Sequence, residues 1–110
     1  MAYLYEHCCD CLRILGREWS EIHIWLDALS GQYHDDHRRH RHHSEGVEEV
    51  RRTWGDEAAR AAQIHIVVDC WGIPYAADYE SGKVNKFGFT EESVAEDVPR
   101  LLQEIVQEQK

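Results

Sequence analysis

The sequence predicts a mainly α fold, a compact up-and-down bundle of four to five helices making a single domain over residues 1–110. Three observations carry this. Apolar residues recur at three- and four-residue spacing through most of the chain. Glycines and good capping residues punctuate those stretches. One segment, "AARAAQIHIVVDCW", is apolar on most sides and supplies a central helix for the others to surround. A chain of 110 residues is long enough for one core and too short for two.

The first helix covers residues 3–15, with Leu4, Cys8, Cys11 or Leu12, and Leu15 on one face and Gly16 as its stop. Ser20 caps a second helix through Leu29, with Ile22, Trp25, Leu26 and Leu29 on one side and Gly31 beyond. A third starts near Asp35 or Asp36, acids suited to a helix start, and runs through a histidine tract to Trp54 and Gly55. Asp56 caps the fourth, which reaches about Trp71; its β-branched run "IHIVV" leaves a strand as the alternative for the second half. Gly72, Ile73 and Pro74 stop it and close a core bundle spanning 3–74. Residues 75–89 read as a loop that admits a short β-hairpin near 79–89, turning at Ser81 and Gly82. The C-terminal segment 90–108 then forms a turn and a last helix from about Val98 to Gln107, its stripe Val98, Leu101, Leu102, Ile105 closing over the bundle.

Charge narrows the partners. Asp and Glu number 21 against 12 Lys and Arg, which argues against duplex DNA and anionic membranes, since both attract a basic field. No stretch approaches the roughly 20 apolar residues of a membrane span, and the start lacks the features of a signal peptide, so the expected location is cytoplasmic, in the producing cell or a host. The cysteines suit reducing conditions. Cys8, Cys9 and Cys11 crowd one turn where ordinary disulfides fit badly, and Cys70 stands apart. Cys8 and Cys11 form a CxxC pair, but a second pair at zinc-finger spacing is missing.

Residues 34–43 hold five histidines and three arginines. Stepping back from the apolar anchors Val47, Val50 and Trp54 by three or four puts His43 inward, then His40 or Arg39, while His34, His37, Arg38, Arg41 and His42 fall to the flanks. A one-residue change of phase exchanges His42 for His43. Elsewhere the pattern His-x-x-x-Asp occurs twice, as His23 with Asp27 and His65 with Asp69, and residues four apart share a helical face. Folding the helices up and down about Gly55 and Asp56 sets Asp69 level with His42 and His65 level with Gly46. Folding about Gln32 and Tyr33 sets His23 level with His42. His23, Asp27, His43, His65 and Asp69 therefore form a candidate metal set, with His7, His40 and His42 as additional members, and Gly46 is expected to admit the fourth helix closely. Bundles build metal sites from facing side chains in this way. The ion expected is divalent, with zinc, manganese, iron and nickel not distinguished by spacing. Arg38, Arg39 and Arg41 are candidate anion-binding groups. Satisfied polar pairs in the core remain the plain alternative for each His-Asp couple.

At these residues the chain resembles an uncharacterised family of small His-rich bacterial and phage-borne proteins, with the pattern IHxW(F/L)D, RHHxEG and HxxxDxxGxIP. The matching segments are His7, "IHIWLD" at 22–27, "RHHSEG" at 41–46 and "HIVVDCWGIP" at 65–74, so the likeness covers roughly residues 3–78. The chain departs from it in "CCDC", in the spacing of "CWGIP" and in the tail after Asp78. The resemblance implies that its motif residues coincide with the polar layer just described; it implies no activity.

Three functions follow as expectations. One is a divalent-metal site acting on or holding a small phosphate-containing molecule, a metal-dependent phosphohydrolase if it is an enzyme. A second is a phage-type binder that sequesters an anionic nucleotide signal with arginines and aromatic rings. The third is an acidic protein that blocks a basic site on a host protein through a surface including the Glu- and Asp-rich tail from Glu91 to Glu108; self-association into a homo-oligomer is a separate expectation. A Gly-rich phosphate loop, a serine elbow and an HExxH motif are all missing from the chain.

Overall fold

The computed structural model describes residues 4–107. The chain runs α1 (Leu4–Leu15), α2 (Ser20–Asp27), the short turn of helix α3 (Ser30–Tyr33), a 3-10 turn (His34–His37), α4 (Arg38–Arg41), α5 (Ser44–Trp54), α6 (Asp56–Cys70), α7 (Ala76–Ser81), a second 3-10 turn (Ala95–Asp97) and α8 (Val98–Gln107). The architecture is a mainly α-helical bundle, and no strand occurs among the described residues. Among the described residues no helix is long and apolar enough to cross a membrane.

Helix α6 is the axis of the bundle, packed against α1, α2, α5 and α8. Acids Asp56 and Glu57 open it and Ala58, Ala59, Ala61 and Ala62 follow, a run of strong helix formers with every one of those alanines fully buried. That start carries the helix through "IHIVV" to Cys70, and the strand alternative for this segment does not hold. Small alanines let neighbouring backbones approach, while Ile64, Ile66 and Val67 fill the core with Ile22 and Leu26 of α2 and Val47 and Val50 of α5. Trp71, in the left-handed region at φ 59° and ψ 24°, ends the helix with its N–H on Val67 O. Helix α8 closes the far side with Ile105 buried and Val98, Leu101 and Leu102 packed against the core.

The histidine tract is not the single helix expected from 35 to 54. It is a 3-10 turn, a short helix and a break, in which His43 is extended at φ −158° and ψ 171° before α5 begins. Several backbone groups released at the break find partners. Tyr79 donates to His42 O at 2.8 Å, Ser44 N–H donates to Pro74 O at 2.8 Å, and Gly46 N–H donates to His43 Nδ1 at 2.9 Å. Gly46 serves this turn rather than the approach of α6. A Cβ there would lie 2.1 Å from Arg41 O in the preceding helical turn.

The hairpin admitted near 79–89 is absent as well. Tyr79 is buried within α7, and Asn85 nucleates a turn by accepting the N–H groups of Phe87 and Phe89 on its side-chain oxygen.

Candidate metal centre

Five histidines and one carboxylate are withdrawn from solvent in one polar layer. His7 (α1), His23 (α2), His42 (between α4 and α5) and His65 (α6) are fully buried, His37 is 3% exposed, and the Asp69 side chain is 2% exposed. Asp27, at the end of α2, is the outermost member, with 31% of its side chain exposed. The interruption at His42 and His43 creates this layer. An unbroken helix would turn His42 and His37 to the flank, as the phase of the sequence predicts; the break turns both inward and makes His43 the cap of α5.

Two groups bring potential ligand atoms within 4.8 Å of one another: His7, His23 and His65; and Asp27, His42, His65 and Asp69. Ring geometry separates them. A metal binds imidazole in the ring plane, along the nitrogen lone pair. His7 lies face to face with His65, centroids 3.6 Å apart and planes 17° apart, so their lone pairs run side by side and do not converge. His23 and His65 are 19° from parallel with Nδ1 atoms 3.0 Å apart, the geometry of an edge-to-edge N–H···N bond.

The second group converges. His42 and His65 are inclined by 64° and bring their Nε2 atoms to 3.1 Å. Asp27 Oδ1 is 3.4 Å from His42 Nε2 and 3.3 Å from His65 Nε2. Asp69 Oδ2 is 3.4 Å from each of the same two nitrogens. Four ligands at about 2.0 to 2.1 Å around a tetrahedral ion sit about 3.3 to 3.4 Å from one another. The buried His/Asp group has the donor types and spacing to hold a metal ion.

Hydrogen bonding sets the direction of one ligand. Glu18 O can only accept, so His23 Nε2, 2.9 Å away, carries its proton. Burial, with His65 and His7 close by, lowers the His23 pKa to about 4, so the ring is neutral at pH 7 and its Nδ1 is a lone pair. His65 Nδ1 must then be the donor across the 3.0 Å contact. A neutral His65 thus aims the lone pair of Nε2 at two carboxylate oxygens and a second imidazole nitrogen. Only a cation among them, a proton or a metal, relieves that arrangement.

The carboxylates are ionised. Burial pushes the Asp69 carboxyl up, but where a proton occupies the facing ring nitrogens, donation from His42, His65 and His7 outweighs this and holds it well below the usual carboxylate range. Asp27 behaves alike, burial being outweighed by His37, His42 and His65. On its other oxygen Asp69 faces His7 Nε2 at 3.4 Å.

Other residues singled out in the sequence lie elsewhere. His43 is buried away from the four-atom set, beside Tyr79 and with Nδ1 used as the cap. His40 is exposed and packs its ring on Tyr33. The arginines do not converge. Arg38 is buried over Phe87 with its charge toward Asp35, Arg41 donates to Trp25 O and stacks on the Trp25 ring, and Arg39 borders a separate cavity of about 170 Å³ with His40, Tyr79 and Glu80. His37, read as a surface residue, is the one the sequence reasoning missed. Ser44 followed by the acid Glu45 is a helix-start signal that could have exposed the break and with it the inward turn of His37 and His42.

No protein-family model, curated protein or solved structure matches the chain.

Proposed function

We propose that this chain is a divalent-metal-binding helical protein whose ion is held by His42 Nε2, His65 Nε2, Asp27 and Asp69 and ties α2, the α4–α5 break and α6 together. The observation that carries the reading is the convergence of two imidazole nitrogens and two carboxylates at 3.1 to 3.4 Å, with His65 obliged by His23 to present a lone pair. Two protonated rings would oppose N–H groups across 3.1 Å, whereas one metal ion satisfies all four atoms. Two nitrogens and two oxygens suit zinc and its neighbours among the transition ions; calcium prefers about six to eight oxygens.

The donor count bears on the chemistry. Four protein ligands fill a tetrahedral shell, as in structural sites, while catalytic zinc keeps a position for water. Arg38, Arg39 and Arg41 are directed to three different places, so these arginines do not form a phosphate clamp beside the four ligand atoms. The function supported best is therefore metal-dependent stabilisation or metal capture rather than phosphoester hydrolysis.

The test is elemental analysis of full-length protein purified without a nickel column, then reconstituted with zinc, manganese, iron or nickel. One equivalent of a transition ion is expected, lost on His42→Ala or Asp69→Asn. A protein that takes up none of the four ions, and whose melting temperature ignores a chelator, would remove the proposal.

A further inference from the structure

We propose that His37 is a positioning residue that clasps Asp27, the candidate ligand nearest solvent, and thereby slows release of the ion, a role that rests on the metal reading above. His37 lies outside the group whose ligand atoms are all within 4.8 Å of one another, so it acts on the ion only through Asp27. Its Nε2 is 3.2 Å from Asp27 Oδ1, within hydrogen-bond reach. Three ring nitrogens surround that oxygen, and two of them, on His42 and His65, are the ones that offer lone pairs to the ion. The nitrogen of His37 is left to donate. An ionised carboxylate oxygen has lone pairs for one metal bond and one N–H.

Asp27 needs such a donor. It is the last residue of α2, where unpaired carbonyl groups make the helix end partially negative, and α2 has no basic residue in its last turn. Among the described residues its ion-pair contacts are with His37, His42 and His65, and no Lys or Arg joins them. The Asp27 side chain is 31% exposed, against 2% for Asp69 and none for His42 and His65. Solvent therefore reaches the four-atom group on the Asp27 side, and detachment of Asp27 is the opening step of release.

His37 is itself held firmly. It is buried in the 3-10 turn before α4, with its ring at 90° to that of His42 and the centroids 5.1 Å apart. Its Nδ1 lies 2.5 Å from His34 O, which can only accept. Both ring nitrogens thus face acceptors, and both contacts are satisfied with a proton on each. The carbonyl that fixes the ring comes from a strained residue: His34 holds φ 54° with ψ −127°, outside the ordinary left-handed well and unfavourable for any residue with a Cβ. Ligating carboxylates are characteristically hydrogen-bonded from outside the shell, which is the relation of His37 to Asp27.

The experiment uses full-length protein loaded with one equivalent of zinc, or of manganese, iron or nickel where zinc is not taken up. Mixing with excess chromophoric chelator records the release rate, and competition at equilibrium gives the affinity. His37→Leu keeps apolar bulk but has no N–H; it should still take up one ion, bind it about 10- to 100-fold more weakly and release it faster by a similar factor. His37→Gln restores an N–H toward Asp27 and should recover most of both losses, which a role in packing alone would not predict. Equal release from wild type and His37→Leu, or a His37→Gln protein no better than His37→Leu, would overturn the clasp and leave the four-ligand centre standing. Loss of all uptake in both variants would likewise overturn a positioning role. A wild-type protein that takes up none of the four ions would overturn the metal reading, and the clasp with it.

Discussion

His23 Nδ1 lies 3.0 Å from His65 Nδ1, edge to edge, in a fully buried pair that joins α2 to α6. Because His23 Nε2 is committed to Glu18 O, the proton between the two rings belongs to His65, and the tautomer of a candidate metal ligand is set from outside the four-atom group. His23 thus acts by positioning. The two His-x-x-x-Asp pairs differ in place: α6 supplies two of the candidate ligands, and α2 supplies one candidate ligand and the residue that orients its neighbour.

That division makes His23 testable without touching the ion. Loss of an orienting partner typically costs about 10- to 100-fold in metal affinity, so His23→Leu should weaken zinc binding by that factor while one equivalent still binds. Glutamine can accept from His65 Nδ1 and donate to Glu18 O, so His23→Gln should recover much of the loss. Competition against a chromophoric chelator measures both variants. Equal affinities in wild type and His23→Leu would show that the pair does not position the ligand.

His42 and His43 are adjacent, and the structure gives them unrelated tasks. His42→Ala removes a ligand and should abolish stoichiometric metal binding. His43→Ala removes the side chain that accepts Gly46 N–H at the start of α5 and should cost about 1 kcal/mol of stability, leaving the stoichiometry intact. Metal analysis paired with urea denaturation separates the two, and the reverse outcome would place the layer one residue further along.

Much of this arrangement was legible in the sequence because it depends on periodicity. The four-residue spacing of His23 with Asp27 and of His65 with Asp69 survives in α2 and α6, since both are regular helices. Levels estimated by folding the chain about its turns also place His23 and Asp69 near His42. Between residues 34 and 44 helical periodicity fails, because phase counted back from Val47 does not carry across the break at His43. The partners that stabilise the break, Pro74 O and the Tyr79 hydroxyl, come from 30 and 37 residues away and leave no local trace. Hence His43 was expected inward where His42 is, and His37 was expected at the surface. The hairpin near 79–89 failed for a related reason: turn-forming Gly and Ser residues are equally at home between two strands and at the end of a short helix such as α7.

Acid should weaken the metal-free protein, and the sign is fixed by the direction of the shifts. His23 is held at about 4 by burial and by His65 and His7, below the ordinary value near 6.5 that it regains on unfolding. The unfolded chain therefore binds the extra proton between those values, and stability falls as pH drops through that window. Its contribution, fully present above about pH 6.5, is about 3 kcal/mol at most. Asp27 and Asp69 are held low, so their contributions are lost on further acidification, in the same direction. Urea midpoints in the presence of chelator should be lower at pH 5 than at pH 7.5, and the difference should shrink in His23→Gln. Equal midpoints at the two pH values would contradict the neutral, buried state of His23.

The four cysteines should divide sharply in reactivity, since the attacking species is the thiolate. Cys9 is exposed on α1. Cys11 is enclosed in the core with its thiol directed at Ala61 O, and burial, with Asp10 nearby, pushes its pKa up to about 12. Cys70 lies against Tyr79 and Gly88, and burial, with the Asp69 charge beside it, likewise raises its thiol to about 12. Cys8 is buried and also raised, first by burial and then by Glu18. A maleimide or disulfide reagent at pH 7.5 should therefore modify Cys9 rapidly and the other three only as the protein opens, with mass spectrometry of the time course as the readout. Rapid modification of Cys11 alongside Cys9 would mean that α1 and α6 separate readily, and the rigid polar layer they share with α2 could not then be maintained.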